Sequence, residues 1–213
     1  MEYIEVVDSL IKEIADRNLD RINLNGHAYA GVNGPYRFVD TPVRNSGHWL
    51  VIFSYLWKNT NEEKYKRIAL TLAEYLLEEQ KHTVSGAIEC MTGERFDHLN
   101  GLIGQAWTIE ALIYAYETFG NKEYIDTAAK LFCSQHFNDQ YGLWERVEIT
   151  GENIGFDYTL NHQVWFACSG LMILDHVKND RIRAEVDGFL GCLNDKYFDV
   201  YKNGLIKHYG TMK

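Results

Sequence analysis

Five acidic residues and two histidines recur at comparable points of this chain, and their types suit proton transfer. Asp97 and Asp157 each follow a phenylalanine and precede a long apolar segment, Asp40 stands in a similar place, and Glu89 and Glu145 close two Gly-x-x-Glu elements. Two carboxylates facing one substrate can serve as acid and base. His48 and His162 lie beside the same segments, where a neutral imidazole can act as a base for epimerisation or β-elimination. The bland alternatives are ordinary ones. An Asp often caps a loop or a helix N-terminus, and a His often bonds a loop carbonyl. No second Cys/His pair accompanies Cys133-Ser-Gln-His136, so no metal is expected, and no glycine-rich phosphate loop or nucleophile elbow suggests a cofactor.

The elements that must position these residues read as helices. Seven helical stretches are expected, at about residues 2–18, 46–59, 61–80, 100–119, 121–135, 161–178 and 180–195. Period-2 alternation is nowhere long enough for a substantial sheet, so the fold class is all-α. Three stretches, around Trp49–Trp57, Leu102–Tyr114 and Val164–Leu174, are apolar nearly all round and must be enclosed. They alternate with amphipathic stretches such as 61–80 and 121–135. Each enclosed helix enters its amphipathic partner through a short turn (Thr60-Asn-Glu-Glu63 has capping-box spacing), and a long loop then leads to the next enclosed helix. The loops carry Gly34-Pro-Tyr-Arg37, Gly86-Ala-Ile-Glu89, Gly142-Leu-Trp-Glu145 and Gly204-Leu-Ile-Lys207, the later ones about sixty residues apart. The unit is a helical hairpin, and all the long loops and enclosed-helix N-termini share one face. Long loops in compact domains commonly carry function, and helix N-termini favour anionic or hydroxyl-rich ligands.

Composition bounds the rest. The chain has 213 residues, 46% hydrophobic and 24% charged, which suits a single packed domain over 1–213. Its formal charge of −9 removes the usual driving force for nucleic acid, and no segment is apolar enough to span a bilayer. Four scattered cysteines read as buried, reduced thiols, and the expected location is cytoplasmic.

The hairpin repeat, with Asn100-Gly-Leu-Ile-Gly-Gln-Ala-Trp-Thr-Ile-Glu-Ala-Leu112 and Tyr116-Glu-Thr-Phe-Gly-Asn-Lys-Glu-Tyr124, resembles the six-hairpin glycosidase-like superfamily of α/α toroids. The resemblance is nearest in flavour to unsaturated glucuronyl hydrolases and sugar 2-epimerases. It implies a carbohydrate ligand at the long-loop face, and it puts Asp97 where such hydrolases hold an acid/base Asp. The leading expectation is a glycoside hydrolase acting on an oligosaccharide with an acidic sugar, using Asp97 and Asp157. Arg37, Arg44 or Arg95 would then pair with a substrate carboxylate. Trp144 and Tyr36 are the aromatic contacts expected before the repeated Trp49, Trp107 and Trp165, which read as core spacers; Glu89 and Glu145 complete the binding set. The alternatives are an epimerase using His48 or His162, and a non-catalytic module that binds a glycan or a protein. Seven helices make only a half-toroid, so either a chain truncated relative to the full ring or a homodimer covering the open edge is expected.

Overall fold

The computed structural model describes residues 3–33, 37–93 and 97–193. Tyr36 and Arg95, and most of the Gly34 element and all of the Gly204 element, lie outside the described residues.

Seven helices form among the described residues, and their ends follow from local chemistry. α1 (Tyr3–Asn25) runs longer than its apolar pattern suggests and stops at Gly26, whose φ of +74° closes the last turn. α2 (Pro42–Thr60) starts one turn earlier than expected. Thr41 caps it through its hydroxyl, and Pro42 at the first position needs no N–H partner. α3 (Glu63–Lys81) follows a two-residue turn with Asn61 left-handed. The capping box does not form there. Instead Thr60 Oγ1 donates to Leu56 O at 2.7 Å and accepts from Glu62 N at 3.2 Å. α4 (Gly101–Phe119) ends at Gly120, after which Asn121 caps α5 (Lys122–Cys133) by accepting from Glu123 N. α6 (Leu160–Leu174) ends short of the expected 178, and Asn179 caps α7 (Asp180–Cys192).

α2 pairs with α3, α4 with α5 and α6 with α7, while α2, α4 and α6 pack side by side. The short turns make each pair antiparallel, so α2, α4 and α6 point the same way and form an inner row. On α4 the residues that remain only half-buried in its first four turns are Trp107, Glu110 and Tyr114, one face of the helix. α1 covers the far side of the first hairpin, where Tyr55 and Tyr65 hydroxyls donate to Asp8 and Asp16 at 2.7 and 2.8 Å.

Short strands lie in the long loops. β1 (Val32–Asn33) pairs antiparallel with β2 (Phe38–Val39). β3 (His136–Asn138), β4 (Leu143–Val147) and β5 (Asn153–Phe156) form a three-stranded antiparallel sheet in chain order. What ties these loops to the helices is a set of buried glutamines. Gln105 on α4 accepts from Ile88 N at 2.9 Å and donates to Ile88 O at 2.8 Å. Gln163 on α6 does the same to Trp144, at 3.0 and 2.8 Å, and also donates to Asp157 O. Gln135 brackets Val147 likewise. Each side-chain amide thus replaces a missing neighbouring strand and satisfies backbone groups that would otherwise be buried unpaired.

The thiols are all free; Cys90 is buried as expected, whereas Cys168 is exposed on α6. Among the described residues no helix is long and apolar enough to cross a membrane.

Candidate functional site

The start of α4 is where the loops converge. Asn100 and Gly101 both have left-handed backbone, with φ of 59° and 64°. That conformation turns two successive N–H groups toward different side chains. Gly101 N donates to Asp97 Oδ1 at 2.7 Å, and Leu102 N donates to Asp157 Oδ2 at 2.9 Å. Two aspartates sixty positions apart in the chain, by roughly that count, are thereby held on adjacent amides at a helix N-terminus, where the peptide dipoles favour negative charge.

Their second interactions differ. Asp97 Oδ2 accepts from Arg146 at 2.5 Å, so both of its oxygens are engaged. Asp157 Oδ1 accepts from Thr159 N, and Oδ2 meets His162 Nδ1 at 2.8 Å. Burial pushes the Asp157 carboxyl up, but the bond to His162 and its charge, with the N–H groups of Leu102 and Thr159, outweigh burial and hold it below the usual carboxylate range. Asp157 is therefore an anion that fixes the ring of His162. A proton on Nδ1 leaves the Nε2 lone pair for chemistry, and no hydrogen bond to Nε2 exists among the described residues.

A second corner lies on α2, α4 and α6. Arg44 donates to the buried Asp40 at 3.2 Å and stacks its guanidinium 4.8 Å from the centre of the Trp107 ring. His48, one turn along α2, has its ring 5.5 Å from that of Trp107. His48 is exposed at its edge, yet the protein packed against its ring and the nearby Arg44 charge lower its pKa and favour the neutral imidazole at pH 7. Trp165 meets Trp107 edge-on at 6.3 Å and remains 41% exposed. Glu110, one turn beyond Trp107, accepts a hydrogen bond from Trp165. Its burial raises its pKa, and that bond offsets only part of the rise.

The structure thus brings Asp97, Asp157 and His162 together and gathers Arg44 and His48 around Trp107. Of the other expected residues, Tyr36 and Arg95 lie outside the described ones, and the bonds of Trp144, Glu145 and Glu89 run elsewhere. Trp144 is a correction: it is fully buried, ringed by Phe132, Phe137, Phe166 and Phe189, and donates its indole N–H to Glu185 at 3.1 Å, leaving no face for a sugar. The repeat contained the signal, because Ile88 and Trp144 occupy the same place in their Gly-x-x-Glu elements. The repeated Trp165, read as a spacer, is the exposed one. Glu145 lies on the sheet face opposite Trp144, where Asn138, Asn153 and His136 bond its carboxylate. Burial would raise its pKa; these bonds lower it below the usual value. Glu89 contributes its carbonyl to the Thr41 hydroxyl at 2.7 Å. Arg146, Glu110 and Gly101 escaped sequence reading. Alternation from Trp144 along β4 could have pointed Arg146 inward; nothing local marks Glu110. Among the described residues, no group of three or more His, Cys, Asp or Glu could hold a metal ion.

No protein-family model matches the chain. It is 37% identical over 202 residues to archaeal glycosylation protein Q of Haloferax volcanii, covering 95% of this chain and 54% of that protein. An unsaturated glucuronyl hydrolase from a Bacillus species superposes with a TM-score of 0.65 at 16% identity, over 98% of this chain and 62% of that one. A cellobiose 2-epimerase from Spirochaeta thermophila gives 0.62 at 11%, over 97% and 61%. The chain therefore has the six-hairpin glycosidase-like toroid fold in partial form, and it spans about half the length of the curated relative it matches.

Proposed function

We propose that this chain carries the site of a sugar-transforming enzyme that acts on a glycan, with His162 as its proton-transfer group and Asp157 as the group that holds it. The observation that carries this reading is the 2.8 Å bond between an ionised, buried Asp157 and His162 Nδ1 at the α4 N-terminus. The glycosylation role in the relative's name and the toroid fold shared with carbohydrate enzymes support a glycan as ligand. Trp165 offers an exposed apolar face for a sugar ring, and Arg44 supplies a cation suited to a sugar carboxylate.

The chemistry that best suits these residues begins with a base. His162 Nε2 takes the proton from a sugar carbon beside a carbonyl, and the bond's electrons pass to the carbonyl oxygen. Asp157 stabilises the imidazolium, and return of a proton to the other side inverts the centre. His48 is the second imidazole of this face, and because its lowered pKa favours the neutral form it would first have to take up a proton from water to make that return. Glycoside hydrolysis is the second reading, favoured by the placement of Asp97 and Asp157 on adjacent N–H groups. It needs one protonated carboxyl, whereas Asp157 is held ionised and Asp97 is ion-paired.

One experiment separates the readings. Uronic-acid- and hexose-terminated disaccharides are incubated with the protein in deuterated water and followed by NMR. Base chemistry incorporates deuterium at one sugar carbon, without new reducing ends, and is lost in His162→Gln. New reducing ends lost in Asp97→Asn support hydrolysis instead. Binding that survives both substitutions with no turnover sinks the enzyme reading and leaves a glycan-binding module.

A further inference from the structure

Two carboxylates on neighbouring backbone N–H groups repel one another, and such a pair ordinarily keeps one proton between them. Here Asp157 stays ionised, so the charge on Asp97 must be compensated. Arg146 is placed to do this. It lies two residues beyond Trp144 on β4, at the irregularity in register between Glu145 and Val147. NH1 donates to Asp97 at 2.5 Å, Nε to Gly155 O at 3.4 Å and NH2 to Phe156 O at 3.3 Å. The last two carbonyls belong to the two residues immediately before Asp157. One guanidinium thus touches the loop that delivers the first aspartate and the strand that delivers the second.

We infer that Arg146 is a positioning residue for this site: it takes up the charge of Asp97 and so leaves the charge of Asp157 to His162. The inference rests on the reading of Asp157 and His162 as the proton-transfer pair. Both partners are largely shielded, with side chains 25% and 10% exposed, so the pairing is weakly screened by solvent. Among the described residues, the other charged and titratable groups of this corner are His98 beside Asp97, the buried Cys90 thiol between Asp97 and Asp40, Glu148 from the turn after β4, and Arg44 and His48 on α2. Glu148 is already engaged, accepting from His98 N at 3.0 Å and facing His98 Nδ1 at 3.2 Å, and Arg44 is held by Asp40. Among the described residues, that leaves Arg146 as the arginine or lysine in contact with either site aspartate.

The test is a carbon-detected NMR titration of the Asp157 carboxyl in the full chain without substrate, with circular dichroism confirming the fold. Arg146→Met should raise the Asp157 midpoint by roughly half a unit to one unit, the scale of one uncompensated charge nearby. Asp97→Asn should lower it, since Arg146 is then unpaired. The double variant should return it to within a few tenths of the parent value. Arg146→Lys, which keeps the charge but cannot reach both carbonyls, should stay close to the parent. An unmoved midpoint in Arg146→Met, or a double variant that shifts as Arg146→Met does, overturns the inference. If Arg146→Met does not fold, Arg146→Gln, which removes the charge and keeps a hydrogen-bond donor, takes its place and the same rise decides. Because no substrate is involved, this outcome stands apart from any failure of the proposed reaction.

Discussion

Gly101 lies directly beneath Asp157: a Cβ at position 101 would fall 2.5 Å from Asp157 Oδ2 and 2.7 Å from His162 Nδ1. With φ at +64° as well, the position excludes a side chain on two independent grounds. Gly101→Ala should therefore destabilise the fold by about 1–3 kcal/mol and force the Asp157–His162 pair apart. Urea denaturation measures the first effect and turnover the second. Turnover should fall further than the loss of folded protein accounts for.

Asp157 also links stability to pH. Its folded pKa lies below the ordinary carboxylate value, so the unfolded chain takes up the proton first as pH falls. The stabilisation is complete above the ordinary carboxylate range and is lost as pH drops through the lower folded value. Asp157→Asn should be less stable at neutral pH by about 1–3 kcal/mol and show a flatter stability profile between pH 5 and about 2. Thermal melts across that range check the slope. A variant with the parent's acid limb would remove Asp157 from the account.

The two tryptophans at the sheet and on α6 should respond in opposite ways. Trp144→Phe leaves Glu185 Oε2 without its indole donor in a buried setting and should cost about 1–3 kcal/mol, with glycan affinity unchanged. Trp165→Ala should cost less stability than Trp144→Phe, because Glu110, which loses its donor, is only half-buried, and it should weaken binding of any sugar that uses the exposed face of Trp165. Paired denaturation and calorimetric titration on both variants would show the contrast, and equal losses of affinity would contradict it.

Gln163 makes three bonds from one buried amide. Gln163→Leu strands both backbone groups of Trp144 and should cost about 2–4 kcal/mol, each orphaned group being worth about 1–3 kcal/mol. In hydrogen exchange the Trp144 amide, slow in the parent, should become fast. Slow exchange retained in the variant would mean that something else shields it.

Much of this architecture was legible before any coordinates. The enclosed helices declare themselves through segments such as Leu102–Leu112, where no polar face exists, and the amphipathic ones through stripes such as Tyr65, Ile68, Leu72 and Leu76, all buried in the structure. The three-stranded sheet was not legible, because strands of three to five residues built partly on side-chain amides leave too short an alternation. The approach of Asp97 to Asp157 was suggested by their common place in the repeat. Arg146 is not marked by the repeat, because its partners come from two distant segments, the Asp97 loop and β5, and no spacing rule connects them. Trp144 was misread for the opposite reason. A tryptophan in a polar loop looks like a ligand platform until its equivalence with Ile88 is noticed.

The glutamine brackets bear on how such a scaffold tolerates change. A loop paired to a neighbouring strand must keep its register along its whole length. A loop gripped at one residue by Gln105 or Gln163 is fixed at that point independently of how the rest of it pairs. Insertions and deletions between brackets can then accumulate without moving Asp97 or Asp157 off the α4 terminus. The protein behaves here like a set of clamps along a rail, where the substrate-facing segments can be exchanged for others of different length while the clamps stay put.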